Sequence, residues 1–431
     1  MIDRSTIDKV IAASNVKDVV AEFVELRRSG QSYKGLCPFH HEDTPSFYVW
    51  PQKGTWHCFG CGEGGDVISF IQKKIGLSYP ETIKWLGERF GVEVTEQQLS
   101  DKERQAQKKR ESLYILNDYA AKYYSATLEN EGETLCREYL NCRGISEETA
   151  KTFRLGYALQ QYQAFSRTAV SKGFSEANLI DIGLSYKNKR GELADRFYDR
   201  LIFPWIDFSG RIVAFGGRKI VAGTKGIDQK YINSKESEIF HNGHELYGIW
   251  QAKEAIREKD LVYLVEGYFD VIAMYQAGIH NVVANSGTIL SQYQVDLLCR
   301  FTKNIVVIYD GDEAGRLAIE RSSKLLLQGG MNVSVVILED GNDPDSYIKE
   351  KGQEEFLSYM AQNTQDAISY QIENMLLPEE PPVTYSQQLS AILEEISFVQ
   401  NPVQQVVYLH RCAERTGIHQ TILYKLLKNF K

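Results

Sequence analysis

Apolar positions recur at helical spacing over residues 5–28. Ile7, Val10 and Ile11 share one face, and Val16, Val19, Val20, Phe23 and Val24 share a second, with Asn15 between them as a cap. From Tyr33 to Val67 the pattern breaks into short pieces rich in Gly and aromatics, the texture of a small β module. Apolar 3–4 spacing returns over Val67–Phe90. Glu96–Glu111 then carries Gln, Lys, Arg and Glu with few apolar residues, and reads as a solvated helical linker.

Residues 112–257 predict a mixed unit. Helical segments come first (112–131 and 134–153), followed by strands Leu201–Asp207 and Arg211–Gly217 around a tight Phe208-Ser209-Gly210 turn. The texture changes over 258–340. Leu261–Glu266, Asn281–Asn285, Asn304–Asp310 and Val333–Leu338 are short, apolar and β-branched, and each interval between them has room for a helix. That rhythm predicts a parallel, doubly wound sheet. Beyond about Ser346 the pattern is helical to the end, interrupted at Pro378–Pro382.

Composition narrows the class. At 431 residues with 43% hydrophobic and 25% charged positions, the chain suits about two to four globular domains. No apolar run approaches the roughly 18 residues that span a bilayer, and Met1-Ile2-Asp3-Arg4 lacks a secretory apolar core, so the expectation is a cytoplasmic protein. The net charge of −8 is unevenly spread. Residues 251–431 hold 15 Lys/Arg against 24 Asp/Glu, whereas 187–235 hold 11 basic against 5 acidic residues. A polymeric anion would find its complement on that basic stretch.

Three of the seven cysteines fall within 25 residues. Cys37-Pro38-Phe39-His40 and Cys58-Phe59-Gly60-Cys61 form two x₂ pairs with 17 residues between them. Two-residue spacers let each pair hold one edge of a tetrahedral Zn²⁺ site, and the interval suits the two knuckles of a ribbon. All four positions are filled by protein, so one structural zinc per chain is expected. His41 and His57 are neighbours that could substitute for His40. The surrounding Phe39, Phe47, Tyr48, Trp50, Trp56 and Phe59 suit either stacking on single-stranded bases or a mini-core around the metal.

A second group is acidic. Glu266 ends the first parallel run, Asp310 and Asp312 end the third, and Asp343 and Asp345 follow the fourth; Asp270 lies four residues after Glu266. Ligands of open α/β sheets bind at the carboxyl ends of strands. Carboxylates gathered there repel unless cations join them, which points to Mg²⁺ (or Mn²⁺), two or more ions, and to displacement at phosphorus. The natural reaction is nucleotidyl transfer, with Asp310 and Asp312 holding the metal. Asp343-Pro344-Asp345 also suits a plain turn, and Asp270 a first-turn residue.

In order, the Cys-x₂-His…Cys-x₂-Cys ribbon, a basic mixed domain, Glu266-Gly267-Tyr268-Phe269-Asp270 and Asp310-Gly311-Asp312-Glu313-Ala314-Gly315 resemble the bacterial replicative DNA primases, whose α/β part has the toprim fold. The resemblance runs from about residue 3 to at least 350. It implies synthesis of short RNA primers from ribonucleoside triphosphates on single-stranded DNA, with a replicative helicase as partner. It also implies zinc ligands at Cys37, His40, Cys58 and Cys61, catalytic metal-binding acids at Glu266, Asp310 and Asp312, and secondary ones at Asp270, Asp343 and Asp345. Arg143, Arg200, Arg218, Lys230, Tyr231 and Asn233 match residues that would meet DNA or nucleotide. Asn242 stands where the family usually has Lys, Gln229 where it has Pro, and Asp43 where a basic residue is common; the segment from Arg218 to Lys230 is long, and relatives continue past Lys431 into a helicase-binding domain.

The expected architecture is therefore α/β multidomain: a zinc ribbon (1–100), a charged linker (101–111), a basic mixed subdomain (112–257), a toprim-type sheet (258–345) and a helical bundle (346–431). A topoisomerase or nuclease on the same fold, and a non-catalytic single-strand binding module, are the competing readings.

Overall fold

A computed structural model describes residues 2–430 apart from 3, 76, 78, 95–100, 132–133, 221–227, 288, 310–312, 340, 375 and 377–380. The chain forms two compact units, Met1–Gln107 and Lys108–Lys431.

In the first unit, helices Arg4–Ala13 and Val16–Ala21 meet at Asn15, whose side chain accepts from the Lys17 N–H at 2.9 Å. An antiparallel sheet follows in chain order: β1 (Arg27–Ser29), β2 (Ser32–Gly35), β3 (Phe47–Trp50), β4 (Thr55–Cys58) and β5 (Gly64–Asp66). Helices Val67–Ile75 and Tyr79–Phe90 close its inner face. Val10, Val16, Val19 and Val20 pack there with Phe47, Trp56, Phe70, Ile83 and Leu86.

The second unit holds three further sheets. The charged run enters one helix, Asp101–Ala126, continuous with the segment expected from 112, because no breaker separates them; its buried face begins at Leu113. The expected 134–153 helix is two, Thr134–Cys142 and Glu147–Thr152. The Ser146 hydroxyl caps the second by accepting from the Thr149 N–H. A four-stranded antiparallel sheet runs β11-β10-β9-β6, from β6 (Gly156–Ala158), β9 (Arg200–Ile206), β10 (Ile212–Lys219) and β11 (Tyr231–Asn233), and a hairpin of β7 (Ser185–Lys187) and β8 (Leu193–Asp195) stands apart. Strands β6 and β11 are three residues each, too short to show alternation in sequence.

The third sheet runs β13-β12-β14-β15-β16. Its strands β12 (Val262–Val265), β13 (Val282–Ala284), β14 (Asn304–Tyr309) and β15 (Asn332–Ile337) are the four expected runs, all parallel, with helices Tyr268–Gln276, Gln292–Leu298 and Glu313–Gln328 in the crossovers. One correction concerns the C-terminal third. Gln365–Asp366 interrupts the expected helical run as β16, an antiparallel edge on β15. Helices Pro382–Phe398, Pro402–Thr416 and Gln420–Leu427 pack as a bundle. Their Ile392, Leu393, Leu409, Cys412 and Leu423 join one core with Leu326 and Val333 beneath the sheet. Among the described residues no helix is long and apolar enough to cross a membrane.

Arg200 belongs to the fold. It is 1% exposed, and its guanidinium donates to the carbonyls of Gly217 (3.1 Å), Lys230 (3.2 Å) and Gln229 (2.8 Å), tying β10 to the segment that enters β11. So enclosed, the side chain has its donors committed within the fold, and the template contact that the resemblance implies for it is tested by removing it. Arg200→Ala should cost about 2–4 kcal/mol, since charge-assisted bonds to buried carbonyls are lost together. Urea unfolding measures the cost. Template affinity well below the midpoint should stay at the parent value; a selective loss of affinity without loss of stability would restore Arg200 to the binding surface.

Candidate metal centre and catalytic rim

The knuckles bring Cys37, His40, Cys58 and Cys61 together, with their ligand atoms all within 4.8 Å of one another. Cys37 Sγ lies 3.8 Å from Cys61 Sγ, and Cys58 Sγ 3.8 Å from His40 Nδ1. A tetrahedron with Zn–S bonds of about 2.3 Å has edges of about 3.8 Å, so the quartet fits Zn²⁺. Burial pushes the Cys37 thiol up to about 12, so a thiolate there depends on the field of a cation. The Phe39 and Cys61 N–H groups donate to Cys37 and Cys58 sulfur at 3.4 and 3.5 Å, closing each x₂ turn.

His40 is selected over His41 and His57 by what stands behind it. Its Nε2 lies 3.2 Å from Glu42 Oε2, which leaves Nδ1 for the metal; a carboxylate behind a metal-bound imidazole sets its tautomer. Glu42 Oε1 also accepts from the Cys37 and Ser46 N–H groups, at 2.7 and 3.1 Å. Glu42 was not singled out in the sequence, although its position two residues after His40 was the available signal. Gly60 completes the pocket: a Cβ there would lie 2.7 Å from His40 Nε2.

Strand alternation sorts the six aromatics. Phe47 and Trp56 are buried and stack at 5.2 Å, with Phe39 beside them, as the mini-core. Tyr48 and Trp50 point the other way, stack at 5.9 Å and meet Phe59, which is 66% exposed. Cross-strand pairing places Arg27, Lys34, Tyr48 and His57 in one row on that outer face, cationic at one end and aromatic at the other.

In the larger unit, Glu266 follows β12 directly and is exposed. Asp310 and Asp312 lie outside the described residues; the strand that leads to them, β14, pairs parallel with β12. The secondary acids have local partners. Asp270 is 7% exposed, and its Oδ2 accepts from the Gly267 N–H at 2.8 Å, holding the turn that carries Glu266. Asp343 caps helix Pro344–Lys351, accepting from the Ser346 N–H at 2.7 Å. Asp345 pairs with Arg143, and burial outweighs that guanidinium to hold its carboxyl above the usual range.

Two cations meet over one ring. The Arg143 guanidinium lies 4.3 Å and that of Arg218 4.8 Å from the Phe269 centroid, and both also face Tyr139, at 5.4 and 5.3 Å. Arg143 Nε donates to the Tyr139 hydroxyl at 2.7 Å, and Arg218 Nη1 to that of Tyr231. Arg218 Nε is buried without a partner among the described residues. Like charges this close are held by ring faces and one carboxylate, and an anion would complete them. Phe269 lies three residues after Glu266, in the helix that begins at Tyr268. The Lys230 side chain is exposed, and Asn233 bonds to Tyr268 and Ser286. Tyr139 and Phe269 were missed in sequence, since a ring serving as a cation seat has no spacing signature.

Known proteins agree with this geometry. The CHC2 zinc finger family matches residues 2–102, the N-terminal domain of the DNA primase catalytic core 123–253, and the Toprim-like family 263–348. The DNA primase of Clostridium acetobutylicum is 36% identical over 436 residues, covering 99% of this chain and 70% of its own. The chain belongs to the bacterial DNA primases. It is thus a DNA-directed RNA polymerase that makes RNA primers, and the topoisomerase, nuclease and non-catalytic readings are set aside. The primase of Aquifex aeolicus is 40% identical over 355 residues, covering 81% of this chain and 68% of its own. The crystal structure of that organism's primase zinc-binding and RNA polymerase domains superposes with a TM-score of 0.63 at 33% identity, over 97% of this chain and 98% of its own. A DNA primase domain from Pseudomonas aeruginosa gives 0.64 at 32% identity, over 73% and 99%.

Proposed function

We propose that this primase extends RNA on a single-stranded DNA template at the rim after β12 and β14, with ribonucleoside triphosphates as substrates. One observation carries the reading: two arginines share the Phe269 ring three residues beyond the exposed Glu266, which sets a cationic seat for phosphates close in the chain to a carboxylate. Glu266, Asp310 and Asp312 would hold Mg²⁺ (or Mn²⁺), which when bound neutralises phosphate charge and makes the attacking hydroxyl more acidic. Arg143 and Arg218 orient the triphosphate by fork-shaped donation, and Lys230 and Tyr231 border it. Asp270 and Asp343 serve chiefly to hold their turns. The outer face of the ribbon takes the template, its phosphates on Arg27 and Lys34 and its bases on Tyr48, Trp50 and Phe59. A solved primase catalytic domain bound to single-stranded DNA, 32% identical to this chain, supports that template class. The replicative helicase and a cytoplasmic place at the fork come with the family.

Incorporation of labelled ribonucleotide on single-stranded DNA in Mg²⁺ tests the reading. Arg218→Ala should raise KM for the nucleotide roughly 10- to 100-fold, the worth of a charged hydrogen bond. Unchanged KM would remove the arginine pair from the nucleotide site. Phe59→Ala should weaken binding of a single strand about tenfold, since one base loses its stacking partner. Fluorescence anisotropy reads that affinity, and a parent value would clear the outer face of a template role.

A further inference from the structure

One line of hydrogen bonds joins the antiparallel sheet to the parallel one. The Trp205 indole N–H donates to the Tyr268 hydroxyl at 2.9 Å, Tyr268 O–H donates to Asn233 Oδ1 at 2.6 Å, and Asn233 Nδ2 donates to the Ser286 carbonyl at 3.3 Å. Trp205 lies in β9 and Asn233 ends β11; Tyr268 opens the helix after Glu266, and Ser286 follows β13. The direction of donation is set at both ends. An indole nitrogen can only donate, and a carbonyl can only accept. The Tyr268 proton is therefore committed to Asn233, and the amide cannot flip without losing two bonds.

Packing holds the relay in place. The Tyr268 ring is buried, stacked on Phe203 at 4.6 Å and 12°, with Tyr247 edge-on at 4.7 Å. Gly216 pairs with Asn233 across β10 and β11, and a Cβ there would lie 2.3 Å from the Tyr268 hydroxyl oxygen, so the glycine makes room for the tyrosine. Ser286 is 5% exposed and sits at φ 48°, a left-handed conformation that serine adopts only where its surroundings demand it. Asn233 is half-buried, and one of its two amide hydrogens has no partner among the described residues.

We propose that Tyr268 is a positioning residue of the polymerase, holding the Asn233 amide so that its remaining N–H is presented to an oxygen of the incoming nucleotide. This rests on the expectation, implied by the family resemblance, that Asn233 meets DNA or nucleotide, and takes the nucleotide as its partner. Ribose hydroxyls and phosphate oxygens offer the same acceptor chemistry, and the substrate distinguishes them.

Steady-state incorporation on single-stranded DNA is measured with the full chain and with Asn233→Ala, Asn233→Asp, Tyr268→Phe and the Tyr268→Phe/Asn233→Ala double variant, each below its unfolding temperature. Asn233→Ala and Tyr268→Phe should each raise KM for the ribonucleotide about tenfold, the worth of one hydrogen bond. The double variant should lose no more than either single one, because both remove the same oriented donor. Asn233→Asp keeps an acceptor for Tyr268 but offers no N–H, either to the Ser286 carbonyl or to substrate; KM should rise at least as far. A purely architectural Tyr268 would lower the folded fraction and kcat and leave KM alone. With a 2′-deoxynucleotide, disappearance of the Asn233→Ala effect assigns the donor to the 2′-hydroxyl, and persistence assigns it to another oxygen. Parent KM in Asn233→Ala overturns the nucleotide contact itself. A raised KM in Asn233→Ala beside a parent KM in Tyr268→Phe, or additive losses of about a hundredfold in the double variant, overturns the relay alone.

Discussion

Glu266→Gln, Asp310→Asn and Asp312→Asn should each abolish primer synthesis in Mg²⁺, with a fall of at least about a thousandfold, equivalent to about 4 kcal/mol of transition-state stabilisation. Each substitution keeps the size of the side chain and removes the negative charge that a hard divalent ion requires. Single-strand binding should persist or tighten slightly, because repulsion of the template falls. Asp270→Asn supplies the contrast. Asp270 Oδ2 accepts from the Gly267 N–H, and an asparagine carbonyl accepts from the same donor, so this variant should lose only about tenfold, near the worth of a helix cap. If Asp270→Asn falls as far as Glu266→Gln, Asp270 binds metal as well as capping its helix. If Glu266→Gln still makes primers at the parent rate, the rim after β12 is not the active site.

Cys58→Ala should lose zinc and unfold the first unit. Structural zinc contributes about 10–16 kcal/mol to small domains, as much as the whole stability of a typical fold, so a ribbon of five short strands does not survive without it. Elemental analysis should fall from about one zinc per chain to none. Trp56, 1% exposed between Phe39, Phe47 and Phe70, should enter water, and its emission should shift to the red. Residues 112–431 should keep their own cooperative unfolding transition, since they form a separate compact unit with its own cores. Full zinc content in Cys58→Ala would sink the assignment of that ligand.

Several features follow from sequence because their physics is local. The zinc quartet is legible from two x₂ spacers, since a tight turn and a tetrahedron's edge constrain only neighbouring residues. The four parallel strands are legible because burial on both faces makes each a continuous apolar run bounded by polar residues, and helices must fill the crossovers. Glu266 follows from that pattern: it is the first charged residue after a buried strand. The Asn15 cap is equally local.

Tertiary structure decided whatever depends on which distant segments meet. Arg200 and Arg218 look alike in sequence, both arginines in a basic stretch. Only the closure of β9, β10 and β11 turns the first inward onto three carbonyls and leaves the second over Phe269. The six ribbon aromatics carried two readings until the register of β3 and β4 divided them between the faces of one sheet. Strands β6, β11 and β16 hold two or three residues each and exist because a longer neighbour offers them a ladder. Tyr268, read in sequence as part of an acidic motif, became a hinge of hydrogen bonds because Gly216 lies opposite it 52 positions earlier in the chain. Spacing along the chain encodes what one turn or one strand can do by itself. Burial, cation seats and amide orientation are set by partners that sequence separation hides.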